Sequence, residues 1–351
     1  MTDNNNYSLP FQLDGNDFRG RFVRLTDVMD TIIRRHDYPQ PVARLLGETM
    51  LLCAALAGAV KYDGIFTLQA KGDGAITDLV ADVTSDGAVR AYASFDRERV
   101  EREDPGTDAT ALLLGKGYIA FTVDQGPDTE RYQGIVELSG RTVADCVAHY
   151  FRQSEQIPTG FVMATADDGG AWHGGTIMLQ KMPRAEDDRF GGSGRNADSI
   201  EVNTELLEEQ LGDLEPGNDN AAVSADEFEQ RAEDIRRKMI LLGSTKDMEL
   251  LDNSLTGQDL LFRLFHDDSL ELQDRLDLRD ECRCSRARVE RVLRTVPPEE
   301  MADLKVDGPD GLKVEVACEF CGRKYNFDET ELENLDKVYH LDIAEAKQPD
   351  A

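Results

Sequence analysis

No run of apolar residues in this chain exceeds the 11 from Met50 to Val60, and that is too short to cross a bilayer as a helix. The opening Met1-Thr2-Asp3-Asn4-Asn5-Asn6 lacks the basic and apolar stretches of a secretion signal. Positive charge is scarce: 39 Lys and Arg stand against 69 Asp and Glu, a formal net charge of -30. That balance argues against nucleic acid or an anionic membrane as partner, because such binding relies on basic side chains that neutralise phosphates. Ser-His-Asp spacing, a phosphate-loop glycine motif and HExxH are all missing, so the chain offers no substrate chemistry. The expectation is a cytoplasmic protein that is not an enzyme.

The 351 residues favour two or three units. Val23 to Arg35 and Val42 to Val60 carry apolar residues at helical spacing, with Pro39 and Pro41 at the start of the second. From Gly64 to Phe95 short β-rich runs are punctuated by Asp73-Gly74 and Asp86-Gly87, which are hairpin turn signals. Strands are predicted at Tyr118 to Val123, Arg131 to Leu138, Gly160 to Ala166 and Thr176 to Gln180, with a helix from Thr142 to Gln153. The fold class is therefore α+β: an N-terminal antiparallel-sheet core with helices (1–182), a helical linker and a small C-terminal domain.

Between core and linker, residues 183–225 are rich in glycine and acid and read as a flexible segment, with a short acidic helix from Ile200 to Leu214 as an option. From Lys181 to Asp234 there are 16 Asp and Glu against 5 Lys and Arg, so this stretch carries -11 of the charge. Helical periodicity returns from Asp226 to His266, within a helical linker at 226–280, in short pieces broken at Gly243-Ser244-Thr245 and Gly257. Such helices are marginal alone. Packing must hold them.

Four of the six cysteines stand close together, as Cys282-Arg283-Cys284 and Cys318-Glu319-Phe320-Cys321 with 33 residues between the pairs. This pattern can place four thiolates around one tetrahedral zinc, and the same thiolates are open to oxidants. Ser285 is placed to cap a helix running to Arg294, Leu312 to Val316 alternates as a strand into Cys318, Gly322 supplies a knuckle turn, and Tyr325 and Phe327 suit a return strand. The module spans 281–340, followed by a disordered tail at 341–351. Cys53 and Cys146 lie among Leu, Ala and Val and read as core thiols. His266 reads as a helix-end residue.

Two competing readings have a physical basis. Cys318 to Cys321 is a CxxC, as in thiol-disulfide oxidoreductases, but it follows a strand instead of opening a helix. A nucleic-acid ribbon would use Arg279, Arg283, Arg286, Arg288, Arg291 and Arg294, yet Glu281, Glu290, Glu299 and Glu300 are interleaved with them. A constitutive zinc-ribbon interaction module stays open.

Leu264-Phe265-His266-Asp267-Asp268, Cys282-Arg283-Cys284-Ser285-Arg286 with Arg288-Val289, and Val314-Glu315-Val316 running into Cys318-Glu319-Phe320-Cys321-Gly322 with Tyr325 resemble the redox-regulated bacterial heat-shock holdases, the thirty-three-kilodalton chaperonin family. The resemblance covers nearly the whole chain, and the cysteine module is its specific part. It implies an ATP-independent chaperone that binds unfolding client proteins and, when oxidised, forms a homodimer. It also implies one zinc per chain on Cys282, Cys284, Cys318 and Cys321 in the reduced, inactive state. Oxidation would then pair Cys282 with Cys284 and Cys318 with Cys321, release zinc and unfold the linker. The segment 183–225 is longer and more acidic than the family's usual junction, and the spacing between the cysteine pairs is slightly extended.

Overall fold

Phe18–Leu25 sends Phe18, Phe22 and Arg24 to one side and Val23 and Leu25 to the other, and it forms a strand (β2) paired along its length with β1, Tyr7–Leu13. Both of its faces are covered, so its sequence lacks the clean apolar-polar alternation of a half-exposed strand. For that reason the expected helix from Val23 begins late: Val23 to Leu25 end the strand, and helix α1 is Asp27–Arg34. The N-cap Thr26 offers no side-chain cap. Instead Asn6 Oδ1 accepts from the amides of Thr26 at 2.7 Å and Val28 at 3.2 Å, satisfying donors that the helix itself cannot.

The structure, a computed structural model, describes residues 5–58, 62–103, 110–126, 132–138, 142–183, 225–308 and 311–334. Most of the acidic segment, including the optional helix from Ile200 to Leu214, and the tail at 341–351 lie outside them. The chain divides into two units, Met1–Asp280 and Glu281–Ala351.

In the first unit, helix α2 (Gln40–Ala57) is apolar around nearly its whole circumference and almost wholly buried, as a helix packed on all sides must be. It touches β3 (Ile65–Gly72), β4 (Ile76–Thr84) and β5 (Ala88–Phe95) on one side, and β2, β8 (Thr159–Asp167) and β9 (Trp172–Lys181) on the other. The turns at Asp73-Gly74 and Asp86-Gly87 join β3, β4 and β5 as antiparallel neighbours. Helix α3 (Arg97–Glu103) follows, then β6 (Gly117–Asp124) and β7 (Tyr132–Glu137) extend that sheet. Helix α4 (Val143–Tyr150) opens on a Thr142–Asp145 capping box. The predicted α+β class with antiparallel sheets is what the structure has.

The other face of β2 and β9 carries the segment read as a linker. Helices α5 (Ala225–Gly243), α6 (Asp247–Leu251) and α7 (Gly257–Phe265) bury Met239, Leu242, Leu250, Leu260, Leu261 and Phe265 against Phe11, Phe18, Phe22, Ile177 and Leu179. Gly257, expected as a break, is the first residue of α7. A Cβ there would meet the Phe22 ring at 2.4 Å, so glycine permits this close approach. Beyond α7, β10 (Glu271–Leu272) and β11 (Leu276–Asp277) pair with β1, and β12 (Arg279–Asp280) runs parallel to β5.

Polar ties fix this docking. Arg24, 1% exposed, donates to the carbonyls of Leu255 at 2.7 Å and Leu250 at 3.3 Å, and the Gly257 amide donates to Tyr7 Oη at 3.0 Å. Desolvation lowers the Arg24 pKa, opposed by Tyr7 and Asp252. A buried guanidinium held by carbonyls is a costly way to specify an interface, which keeps the docked segment less stable than its apolar contacts alone would make it.

The second unit contains α8 (Arg286–Leu293), α9 (Pro298–Asp303) and a three-stranded antiparallel sheet of β13 (Lys305–Gly308), β14 (Gly311–Ala317) and β15 (Lys324–Asp328). Ser285 caps α8 by accepting from the Arg288 amide at 3.3 Å. Val314 faces Phe327 and Val316 faces Tyr325 in register. Leu293, Val314, Tyr325, Phe327 and Leu332 make its small buried core. A core this size commonly relies on a metal or disulfides. Among the described residues no helix is long and apolar enough to cross a membrane.

Candidate metal centre

Two short pieces of chain bring the four cysteines together. Cys282 and Cys284 precede the capped start of α8, while Cys318 and Cys321 occupy the turn between β14 and β15. That turn closes as a knuckle: the Gly322 amide donates to Cys318 O at 2.8 Å and the Cys318 amide to Arg323 O at 2.9 Å. Gly322 sits at φ +67°, where a side chain is disfavoured.

The four sulfur atoms lie within 4.8 Å of one another. Cys282 Sγ is 3.7 Å from Cys318 Sγ, and Cys284 Sγ is 3.4 Å from Cys321 Sγ. These contacts cross between the two motifs, and all four cysteines are free thiols. A tetrahedral site with metal–sulfur bonds of ~2.3 Å has sulfur–sulfur edges of ~3.8 Å. The set therefore fits a metal ion of that kind.

The charge balance of the cluster points the same way. Burial pushes the Cys284 thiol up, but the hydrogen bond from Tyr325 and those from the other three thiols outweigh it and bring the pKa down to about 7. Cys321 is pushed up to about 12, by burial first and then by its three sulfur neighbours, against the favourable Arg323 amide. Cys318 is also raised, chiefly by burial, although the amides of Cys321 and Phe320 favour its thiolate. One thiolate forms easily and the later ones are resisted, as in any cluster of like charges. A bound cation removes that conflict.

Tyr325 is a member of the site that the sequence reading assigned only to a strand. Its hydroxyl donates to Cys284 Sγ at 3.1 Å, and its own pKa is raised first by that contact. The available signal was the alternation of Tyr325 and Phe327 opposite Val316 and Val314, which sends both rings inward. Arg286, one of the clustered arginines, lies over the Phe327 ring at 4.3 Å and pairs with Glu331 at 2.6 Å.

Cys53 and Cys146 are buried in the first unit's core, 0% and 1% exposed, and Cys53 Sγ lies 3.2 Å from Ala81 O. His266 is the C-cap of α7 and leans on Phe262. A second group of potential ligands, Asp14, Asp234 and Asp268, already surrounds a cation. The Lys238 ammonium is 2.8 Å from Asp14 and 3.4 Å from Asp268, and it also pairs with Asp234.

A family profile described as Hsp33 protein matches residues 6–328. The 33 kDa chaperonin of Caulobacter vibrioides is 34% identical over 324 residues, covering 91% of this chain and 93% of that protein. The 33 kDa chaperonin of Escherichia coli is 30% identical over 317 residues, covering 90% of each. In fold, the chain is similar to the crystal structure of the Thermotoga maritima 33 kDa chaperonin, a heat shock protein 33 homolog. The TM-score is 0.64 at 23% identity, over 96% of this chain and 99% of that one. The chain belongs to the Hsp33 family, a family of chaperones and not a class of enzymes.

Proposed function

We propose that this chaperone is a redox-switched, ATP-independent holdase whose reduced form is zinc-bound and inactive. The observation that carries the reading is the cluster of four free thiols within 4.8 Å of one another. Cys282, Cys284, Cys318 and Cys321 would hold one zinc ion per chain, which supplies the positive charge that lets four thiolates coexist.

In the proposed switch, each cysteine pair gives up two electrons to an oxidant such as peroxide. Two thiolates and two protons with one peroxide yield one disulfide and two waters. Cys282 pairs with Cys284 and Cys318 with Cys321, and sulfurs so paired no longer serve as ligands. Since structural zinc contributes on the order of 10 kcal/mol to units of this kind, loss of the ligands unfolds the C-terminal unit. Asp280 stands two residues before Cys282, so the disturbance passes along the chain into the segment 226–280.

Undocking exposes the apolar face of α5 to α7 and the phenylalanines of β1 and β2 that it covers. Among the linker's large apolar residues, the candidates for client contact, Met239 and Phe265 are fully buried, Ile235 is partly buried and Phe262 is 62% exposed; the Phe228 side chain lies outside the described residues. The proposed organisation is a core at 1–182, an acidic segment at 183–225, a linker at 226–280, a zinc domain at 281–340 and a tail. The active form binds unfolding clients in the cytoplasm as a homodimer.

The test measures metal content, disulfide pairing by peptide mapping, and suppression of client aggregation before and after peroxide with mild heat. Zinc release together with a gain of protection supports the switch. Retained zinc with equal protection in both states rejects it in favour of a constitutive zinc-ribbon module.

A further inference from the structure

Helix α2 covers one face of the sheet formed by β1, β2, β9 and β8, but it stops at Ala57. Beyond its end, the register sets Gln12, Arg19 and Gln180 in one row across the strands and Pro10, Arg21 and Met178 in the next. A cavity of about 350 Å³ opens there, and Met182, Gly58 and Gln273 also line it. This volume is at the small end of ligand-binding pockets.

Arg21 is the anomaly in that cavity. Its Nη2 donates to Gly58 O, while its Nε is buried with no hydrogen-bond partner. A Cβ on Gly58 would stand 2.0 Å from Arg21 Nη1, so the absent side chain makes room for the guanidinium. Among the described residues no carboxylate pairs with it, although acids outnumber bases 69 to 39 in the chain. Burial lowers its pKa to about 10, with only Tyr62 opposing. A part-buried guanidinium with no paired anion leaves donors free for one that arrives from outside.

Arg19 adds a second guanidinium at the rim, with its Nε donating to Asn16 Oδ1 at 2.6 Å. Gln12, Gln180 and Gln273 also line it, the Gln180 carboxamide already donating to Thr159 Oγ1 at 3.1 Å, and Pro10, Met178 and Met182 supply an apolar wall. We propose that this pocket binds a small organic carboxylate with an apolar body, the carboxylate on Arg21 and Arg19 and the body against Met178 and Met182. A fork of guanidinium donors matches a carboxylate, and the wall disfavours a fully hydrated inorganic anion.

The pocket joins β2 and β9 to Gln273, whose amide donates to Pro10 O at 3.0 Å. A ligand there ties the return of the 226–280 segment to the sheet. The binding itself does not depend on the holdase reading.

The test titrates the full-length, reduced, zinc-loaded protein with benzoate, with neutral benzamide and with inorganic phosphate, by calorimetry and amide NMR. Saturable 1:1 benzoate binding is expected, with benzamide and phosphate weaker by about tenfold or more. Arg21→Met should weaken benzoate by about tenfold or more, and bound benzoate should slow amide exchange at Glu271 to Gln273. Arg19→Gln alters an exposed residue, so it keeps the test decisive if Arg21→Met folds poorly; it should weaken benzoate several-fold. Benzoate that fails to saturate in the millimolar range, phosphate binding equally tightly, or affinity unchanged in both variants overturns the proposal.

Discussion

Replacing Lys238 with methionine should release α5 from the sheet while leaving the cysteine cluster intact. The Lys238 side chain is 0% exposed, and its ammonium meets Asp14, Asp234 and Asp268. It also stands 4.8 Å from the centre of the Phe18 ring. Methionine keeps the apolar stem at similar volume, so the substitution removes charge more than packing. Breaking a buried pair by deleting one partner costs about 3–5 kcal/mol. Asp14 and Asp234 are partly exposed and regain water, and Asp268 keeps Arg237, which places the cost near the lower figure. About 3 kcal/mol is roughly a 150-fold shift in the docking equilibrium. Native-state hydrogen exchange of the α5 amides should quicken by about that factor, with zinc content unchanged and aggregation protection appearing without oxidant. Arg236→Met, which removes a surface pair with Glu233, should cost less than about 0.5 kcal/mol and serves as control. If α5 exchange in Lys238→Met matches that control while the protein remains folded, the buried lysine does not hold the helix.

Cys282→Ser should lower zinc stoichiometry and loosen the C-terminal unit, whereas Cys53→Ser, at a buried core position, should leave metal content unchanged; metal analysis with circular dichroism reads both. Tyr325→Phe removes the donor that favours the Cys284 thiolate, so the zinc-loaded protein should give up its metal at a lower concentration of a competing chelator, as read by metal content. Burial raises the Glu48 carboxyl from 4.5 to about 7, with Arg44 opposing. Between these values the folded state holds a proton that the unfolded chain has released. Stability contributed by this group is therefore complete below pH 4.5 and is lost as pH rises through 7. Glu48→Gln should stabilise the protein at pH 8 by about 2–3 kcal/mol and have little effect at pH 4.5, as read by denaturant unfolding.

Legibility in the sequence followed the range of the interactions involved. The hairpin turns at Asp73-Gly74 and Asp86-Gly87 and the proline start of α2 are local signals, and the structure has those elements. β2 left no such signal, because sandwiching between α2 and the α5–α7 layer puts apolar residues on both its faces and erases the two-residue alternation. β1 does alternate, with Tyr7, Leu9, Phe11 and Leu13 toward the α5–α7 layer and Ser8, Pro10 and Gln12 on the other side, but Pro10 interrupts the strand signal. Helices α5 to α7 were readable as helices. Their docking surface was not, since periodicity marks an apolar face without naming what covers it.

The cysteine spacing by itself pointed to a metal site: two short motifs, one just before the α8 cap and one in the β14–β15 turn, carry their four thiols wherever the backbone takes them. The acidic balance and the absence of catalytic motifs set expectations in the same local way. Only the tertiary structure decided that Lys238 is the cation among three aspartates, that Tyr325 hydrogen-bonds Cys284, and that Arg24 holds carbonyls 226 and 231 positions further along the chain. Electrostatic roles are set by neighbours in space, and burial multiplies their effect by removing water. A charged residue in the sequence carries no record of either.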